Sequence, residues 1–165
     1  FVRFTKFGYK TFFPKSGFFP LAHVIASGLI LRNDSLNNIG LMNEGLFIDW
    51  VDIEWCWRAN YKGYKIIGNA NIVIDHHLGD SATNVGVREV NLRSPIRHYY
   101  ITRNAFYLSL YCLSIDKLHR WFLFFRSLRY VVFFPILAKP HRIHLKSVVK
   151  GMFDGINGKI GKLTS

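Results

Sequence analysis

Cysteine is nearly absent from this 165-residue chain: Cys56 and Cys112 are the two present, in dissimilar settings and without metal-type spacing. That argues against a disulfide framework and makes a reducing cytoplasm the default compartment. Acidic residues are scarce too, 10 Asp+Glu against 22 Lys+Arg. The most apolar stretch, 121–137, is broken by Arg126 and Arg129 and falls short of the ~20 residues a membrane-spanning helix needs. No signal peptide is visible at Phe1, and neither repeats nor low-complexity tracts occur. No Met precedes Met42, so the chain is expected to be the tail of a longer protein.

What is abundant is hydrophobic and aromatic: 50% hydrophobic residues, with 15 Phe, 8 Tyr and 4 Trp. This suits one domain, or part of one, with a real core. Charge is uneven. Residues 1–96 carry 10 Lys+Arg and 8 Asp+Glu, a net of +2, whereas residues 97–165 carry 12 and 2, a net of +10. A polyanionic partner belongs with the second part.

Local patterning predicts alternating short strands and helices up to about residue 80, then helices alone, hence an α/β core with a helical appendage. Residues 1–20 read as irregular, and 24–31 as a buried strand around Ser27-Gly28. A short helix over 33–38 is stopped by Gly40. Residues 46–49 read as extended. A helix from Asp52 to Lys62 has Ile53, Trp57 and Tyr61 at i, i+4, i+8, with Gly63 as its stop. Strands are expected at 64–67 and 72–74, and a mobile loop up to Arg93. Ser94-Pro95 starts a helix running to about Ser114. Another spans Asp116 to Phe134 and breaks at Pro135, and a basic helix follows from His141.

The chemistry concentrates in Leu46-Phe47-Ile48-Asp49-Trp50-Val51-Asp52-Ile53-Glu54. From spacing alone, Asp52 is a helix N-cap and Glu54 a first-turn acid favoured by the dipole. That does not explain Asp49 in so apolar a run, since buried carboxylates are costly unless paired, metal-bound or functional. His76, after the apolar Ile72-Val73-Ile74, reads in isolation as a hydrogen-bonded loop histidine.

Residues 26–79 closely resemble the second half of the catalytic domain of family 2 glycosyltransferases, above all the bacterial rhamnosyltransferases. The resemblance rests on the Phe-Ile-Asp-x-Val-Asp-x-Glu pattern at 47–54, on Ser27-Gly28, and on His-x-Leu-Gly at 76–79. Tyr99-Tyr100 with Arg103-Asn104 extends it, and Asp154-Gly155 matches more weakly. The resemblance implies the C-terminal half of a GT-A (Rossmann-like) domain over 1–93, followed by a helical, basic, membrane-associating extension over 94–165. It implies Asp52 as the general base that deprotonates an acceptor hydroxyl in an inverting transfer. Glu54 becomes an acceptor-side hydrogen-bonding group, Asp49 a supporting charge, and Ser27-Gly28 the floor of the site. His76, 24 residues after Asp52, becomes a ligand to Mn²⁺ or Mg²⁺. The family's Asp-x-Asp ligands occur nowhere in this chain, as expected of a piece lacking the nucleotide-binding half, which alone should not turn over.

The resemblance implies transfer of L-rhamnose from dTDP-L-rhamnose to a lipid-linked polysaccharide acceptor, expected at the cytoplasmic face of the membrane. Galactofuranosyl or other hexosyl transfer is the alternative within the family. Arg126 and Arg129 at i, i+3, with Trp121 nearby, suit a helix lying in the interface of an anionic membrane. Packing against further chain or a homo-oligomer interface would use the same face. A non-catalytic basic module is the rival from another class. The tail meets the crude charge criterion for nucleic-acid binding, but no nucleic-acid motif supports it.

Overall fold

A computed structural model describes residues 1–6, 8–75, 82–85, 88–91 and 94–163, with 82–85 and 88–91 described as backbone strands alone. It mixes helices with small sheets. Strands β1 (Val2–Thr5) and β2 (Gly8–Thr11) form an antiparallel hairpin in which Phe4 lies opposite Tyr9. Their rings sit 5.5 Å apart between centroids, the kind of cross-strand aromatic pair that stabilises a sheet. β3 (Phe18–Leu21) pairs antiparallel with β4 (Ile66–Asn69), and β5 (Ala82–Val85) with β6 (Arg88–Asn91). Among the described residues every named pair is antiparallel.

Of the N-terminal twenty residues, expected to be irregular, 12–17 are so, whereas β1, β2 and the start of β3 are strand, Phe4 pairing with Tyr9 across the first two. The strand expected at 24–31 is absent. Gly28 adopts φ +79° inside a turn closed by the Leu29 N–H to Ala26 carbonyl bond, a backbone state extended chain cannot hold. Ile30, 93% exposed, is no core residue. The expected strand at 72–74 is likewise missing, and part of the stretch read as a mobile loop is the antiparallel β5–β6 pair.

The helices follow their sequence signals more closely. α1 (Asn33–Ile39) stops at Gly40, α2 (Val51–Tyr61) stops before Gly63, and α3 (Pro95–Tyr111) begins after Ser94. Asp116 caps α4 (Lys117–Leu137), its carboxylate accepting from the N–H groups of Leu118 and His119. α4 runs two residues past Pro135 rather than breaking there. So close to a C-terminus the missing proline N–H disturbs only the final turn. α5 (His141–Ile156) completes the chain's regular structure.

α3 is the central beam. Ala105 and Leu108 of α3, with Cys112 just past its end, pack with Leu46, Trp57, Ile115 and Leu123, so one apolar cluster joins residues from both sides of position 94. Phe106 of α3 packs on Val131 of α4 and Val148 of α5. A separate cluster, Leu21, Ile39, Trp55, Cys56, Ala59 and Ile66, seats α2 on the β3–β4 pair. Cys56 and Cys112 are free and buried, and burial raises both thiols above their usual range. No helix among the described residues is long and apolar enough to cross a membrane.

Candidate active site at the acidic turn

Leading into α2 is a backbone turn of unusual conformation. Glu44–Leu46 form a single 3-10 turn, capped by Asn43, where an extended segment was expected from residue 46. Phe47, Asp49 and Trp50 then take positive φ values of 62°, 59° and 68°. None is glycine, and each such residue costs on the order of 1–3 kcal/mol and persists only where its surroundings enforce it. Trp50, not Asp52, is the helix N-cap, and Asp52 sits in the first turn.

The enforcement comes from α3. The side-chain amide of Asn104, fully buried, donates to the carbonyls of Leu46 (2.9 Å), Ile48 (2.9 Å) and Asp49 (3.0 Å). Buried Arg103 donates to the Leu46 carbonyl at 2.9 Å and to that of Gly45 at 3.3 Å. It also bonds Asn104 Oδ1 and the Gly161 carbonyl, and its guanidinium lies 4.9 Å from the centre of the Tyr100 ring. Trp50 Nε1 donates to the Ile101 carbonyl at 3.1 Å. Arg97 grips Asp49 in a two-pronged pair, both contacts 3.3 Å. The Arg97–Asn104 segment of α3 thus fixes the turn that carries the acids.

Asp52 is half-buried, and the Ala26 N–H donates to its Oδ2 at 2.8 Å while the Ile53 N–H reaches Oδ1 at 2.9 Å. This bond brings the 26–28 turn against Asp52, so Ser27 and Gly28 neighbour it. A Cβ on Gly28 would meet the Ile74 side chain at 2.9 Å, so the chain passes this point shortly before residue 76. His76 and His77 themselves lie outside the described residues.

Glu54, expected as an acceptor-side group, has a partner within α2. It is buried, and both its oxygens accept from Arg58, at 3.0 and 3.1 Å. Arg58 in turn donates to the carbonyls of Ile39, the last residue of α1, and of Leu41 just past it. Glu54 therefore ties α2 to the end of α1.

Sequence reasoning missed His23, whose ring packs edge-on against Tyr9 and Trp57 beneath the site. Burial pushes its imidazole down to about 4, with the Asp52 carboxylate opposing. Arg103 and Asn104 were visible as a signature, but nothing local indicated that their partners lie more than fifty residues earlier. Trp121, Arg126 and Arg129 all stand on exposed positions of α4. With Arg126 and Arg129, Trp50 borders a cleft between α3 and α4.

The described residues do not by themselves make a divalent-metal site: no three His, Cys, Asp or Glu side chains among them converge. Asp49 is committed to Arg97 and Glu54 to Arg58, which leaves Asp52 as the acid at hand for an incoming group.

Two curated relatives match this chain. A dTDP-rhamnosyl transferase of Shigella flexneri is 33% identical over 144 residues, covering 83% of this chain and 46% of its own length. A low-salt glycan biosynthesis hexosyltransferase of Haloferax volcanii is 25% identical over 145 residues, 87% of this chain and 45% of its own. The chain thus spans about half the length of the curated relatives it matches. No family model matches it, and neither does any solved structure.

Proposed function

Because this chain is a rhamnosyltransferase-like relative of the glycosyltransferases, we propose that it carries the acceptor side of a sugar transferase, with Asp52 as the general base. The donor is a nucleotide-sugar, foremost dTDP-L-rhamnose, in keeping with the similarity to the dTDP-rhamnosyl transferase of Shigella. The observation that carries this reading is the acidic turn itself: a strained loop, clamped by α3, that leaves Asp52 half-buried beside the Ser27-Gly28 turn.

In the reaction, the acceptor hydroxyl oxygen attacks the anomeric carbon as its proton passes to Asp52. The bond from that carbon to the diphosphate oxygen breaks, and the nucleotide departs with the electron pair, which inverts the anomeric centre. Such a base needs a fixed position, and the Ala26 N–H helps supply it. Asp49 and Glu54 serve by holding Arg97 and Arg58. A divalent metal at the departing diphosphate, with His76 among its ligands, belongs to this proposal and is checked by metal titration of His76→Ala.

The acceptor is proposed to be a lipid-linked glycan met at the cytoplasmic membrane face. The apolar exposed side of α4, with Trp121 and Phe125, supports that placement. Hexosyl transfer is the second reading, favoured by the Haloferax relative. Donor competition between dTDP-L-rhamnose and nucleotide-hexoses separates the two.

The deciding experiment is Asp52→Asn in the complete protein. Transfer should fall by at least a hundredfold, within the range such proton transfers contribute, with donor binding intact. Unchanged transfer would remove Asp52 from the role.

A further inference from the structure

We propose that the cleft between α3 and α4 is the seat of a single-chain lipid phosphate, the anchoring end of the sugar acceptor on the reading above, on which this inference rests. The cleft has a volume of about 490 Å³, within the ~300–1,000 Å³ typical of small-molecule sites. Trp50 forms one border, two residues before Asp52, so whatever fills the cleft ends beside the acidic turn.

The chemistry of the walls selects the occupant. Ile101, Ala105, Leu123 and Phe133 supply apolar surface. Three hydroxyls also line the cleft, but each is engaged within the protein. Thr102 Oγ1 donates to the His98 carbonyl, Ser127 Oγ donates to the Leu123 carbonyl, and the Tyr130 hydroxyl bonds His98 Nδ1 at 2.5 Å. Trp50 Nε1 is likewise engaged, on Ile101. A nucleobase or a sugar ring entering here would find few groups to read its polar edge. The polar groups that remain are the guanidiniums of Arg126 and Arg129, neither of which has a carboxylate partner among the described residues. An apolar trough with two uncompensated guanidiniums fits a hydrocarbon chain bearing a phosphate, which arginine binds through charge-assisted hydrogen bonds.

The test uses the complete protein and an alkyl phosphate carrying a diazirine near its terminal methyl. After photolysis, peptide mapping should place the label within 101–105 and 123–133. Unlabelled alkyl phosphate should compete, whereas inorganic phosphate and an alkyl maltoside should not. Arg126→Gln with Arg129→Gln should weaken labelling at least tenfold. Competition by the maltoside at equal strength would reduce the cleft to an apolar surface, and competition by inorganic phosphate would reduce it to an anion site. Binding to phosphatidylglycerol vesicles without labelling by the soluble probe would assign the arginines to the bilayer. Each of these overturns the proposal. Asp52→Asn separates the two readings: it should abolish transfer and leave labelling unchanged. Transfer that survives Asp52→Asn, with labelling of the cleft intact, would sink the base and spare the cleft.

Discussion

The carbonyl oxygen of Arg103 lies so close to Gly155 that any Cβ built on that glycine would overlap it, and one turn earlier a Cβ on Gly151 would come within 2.5 Å of the Tyr99 carbonyl. Two glycines four apart let α5 press directly on the backbone of α3. Asp154, between them in sequence, accepts from Tyr99 at 3.0 Å and pairs with Lys150 and Lys159. The weak Asp-Gly resemblance near the C-terminus thus has a physical content: one residue bonds α3, and the next lets α5 approach it.

Gly155→Ala should cost on the order of 1–3 kcal/mol, the usual penalty for forcing a methyl into packed structure. Thermal unfolding of the variant, with an exposed substitution such as Ile160→Ala alongside, measures it. An unchanged melting temperature would mean the helices separate more easily than this packing implies.

Asn104 is the keystone of the acidic turn. Asn104→Ala would strip a donor from three carbonyls in a buried setting, and each loss of that kind costs about 1–3 kcal/mol. Transfer by the complete protein should drop more than tenfold, largely in kcat, since the acids move while the donor's contacts do not. Asn104→Gln, which keeps the amide one methylene further out, should recover little of it.

Arg97→Ala should leave Asp49 as a carboxylate with one side-chain partner fewer in a mostly buried place. The expected result is lowered stability together with slower transfer. Adding Asp49→Asn to Arg97→Ala should restore more stability than activity, which a two-by-two cycle of melting temperatures and rates would reveal.

Stability should decline in acid in two stages. His23 is held near 4 in the folded chain against about 6.5 when unfolded. Between those values the unfolded state binds the extra proton, so folding loses free energy as pH falls through that window. Asp154 has the complementary sense: its carboxyl is pulled down to about 2, burial opposing and Lys159 and Lys150 prevailing. Its contribution is full above about 3.8 and vanishes as pH falls toward 2. Melting temperatures from pH 8 to pH 3 should show the first decline, and His23→Gln should flatten it between pH 6.5 and 4.

Iodoacetamide offers a simpler check. With both thiols buried and raised by that burial, Cys56 and Cys112 should resist alkylation in the folded protein and react in denaturant. Rapid labelling of the native chain would contradict the packing around α2 and α3.

The sequence made the helices legible because their ends carry local chemistry: Ser94-Pro95 opens α3, Asp116 caps α4, and Gly40 and Gly63 mark the stops of α1 and α2. It made the N-terminal strands opaque, since β3 finds its partner β4 some forty-five residues later and the Phe-, Gly- and Pro-rich composition mimics a loop. Asp52 stood out as an acid in a recognisable pattern. The purpose of Arg103 and Asn104 did not, because a hydrogen bond to a distant carbonyl leaves no periodicity. The partner of Glu54 was legible as spacing, since Arg58 stands one helical turn away.

The turn over Phe47, Asp49 and Trp50 has a bearing on how the protein is made. Lacking glycine at its three left-handed positions, it cannot hold its shape from local preference, and the groups that impose that shape come from residues 97–104. A ribosome synthesising the chain therefore releases the acids well before their scaffold exists. Until α3 has emerged and docked, the nascent segment should sample ordinary extended and helical backbone, and its acids should be no better placed than those of any unfolded peptide. Their alignment arrives in one late step, together with the closing of the core.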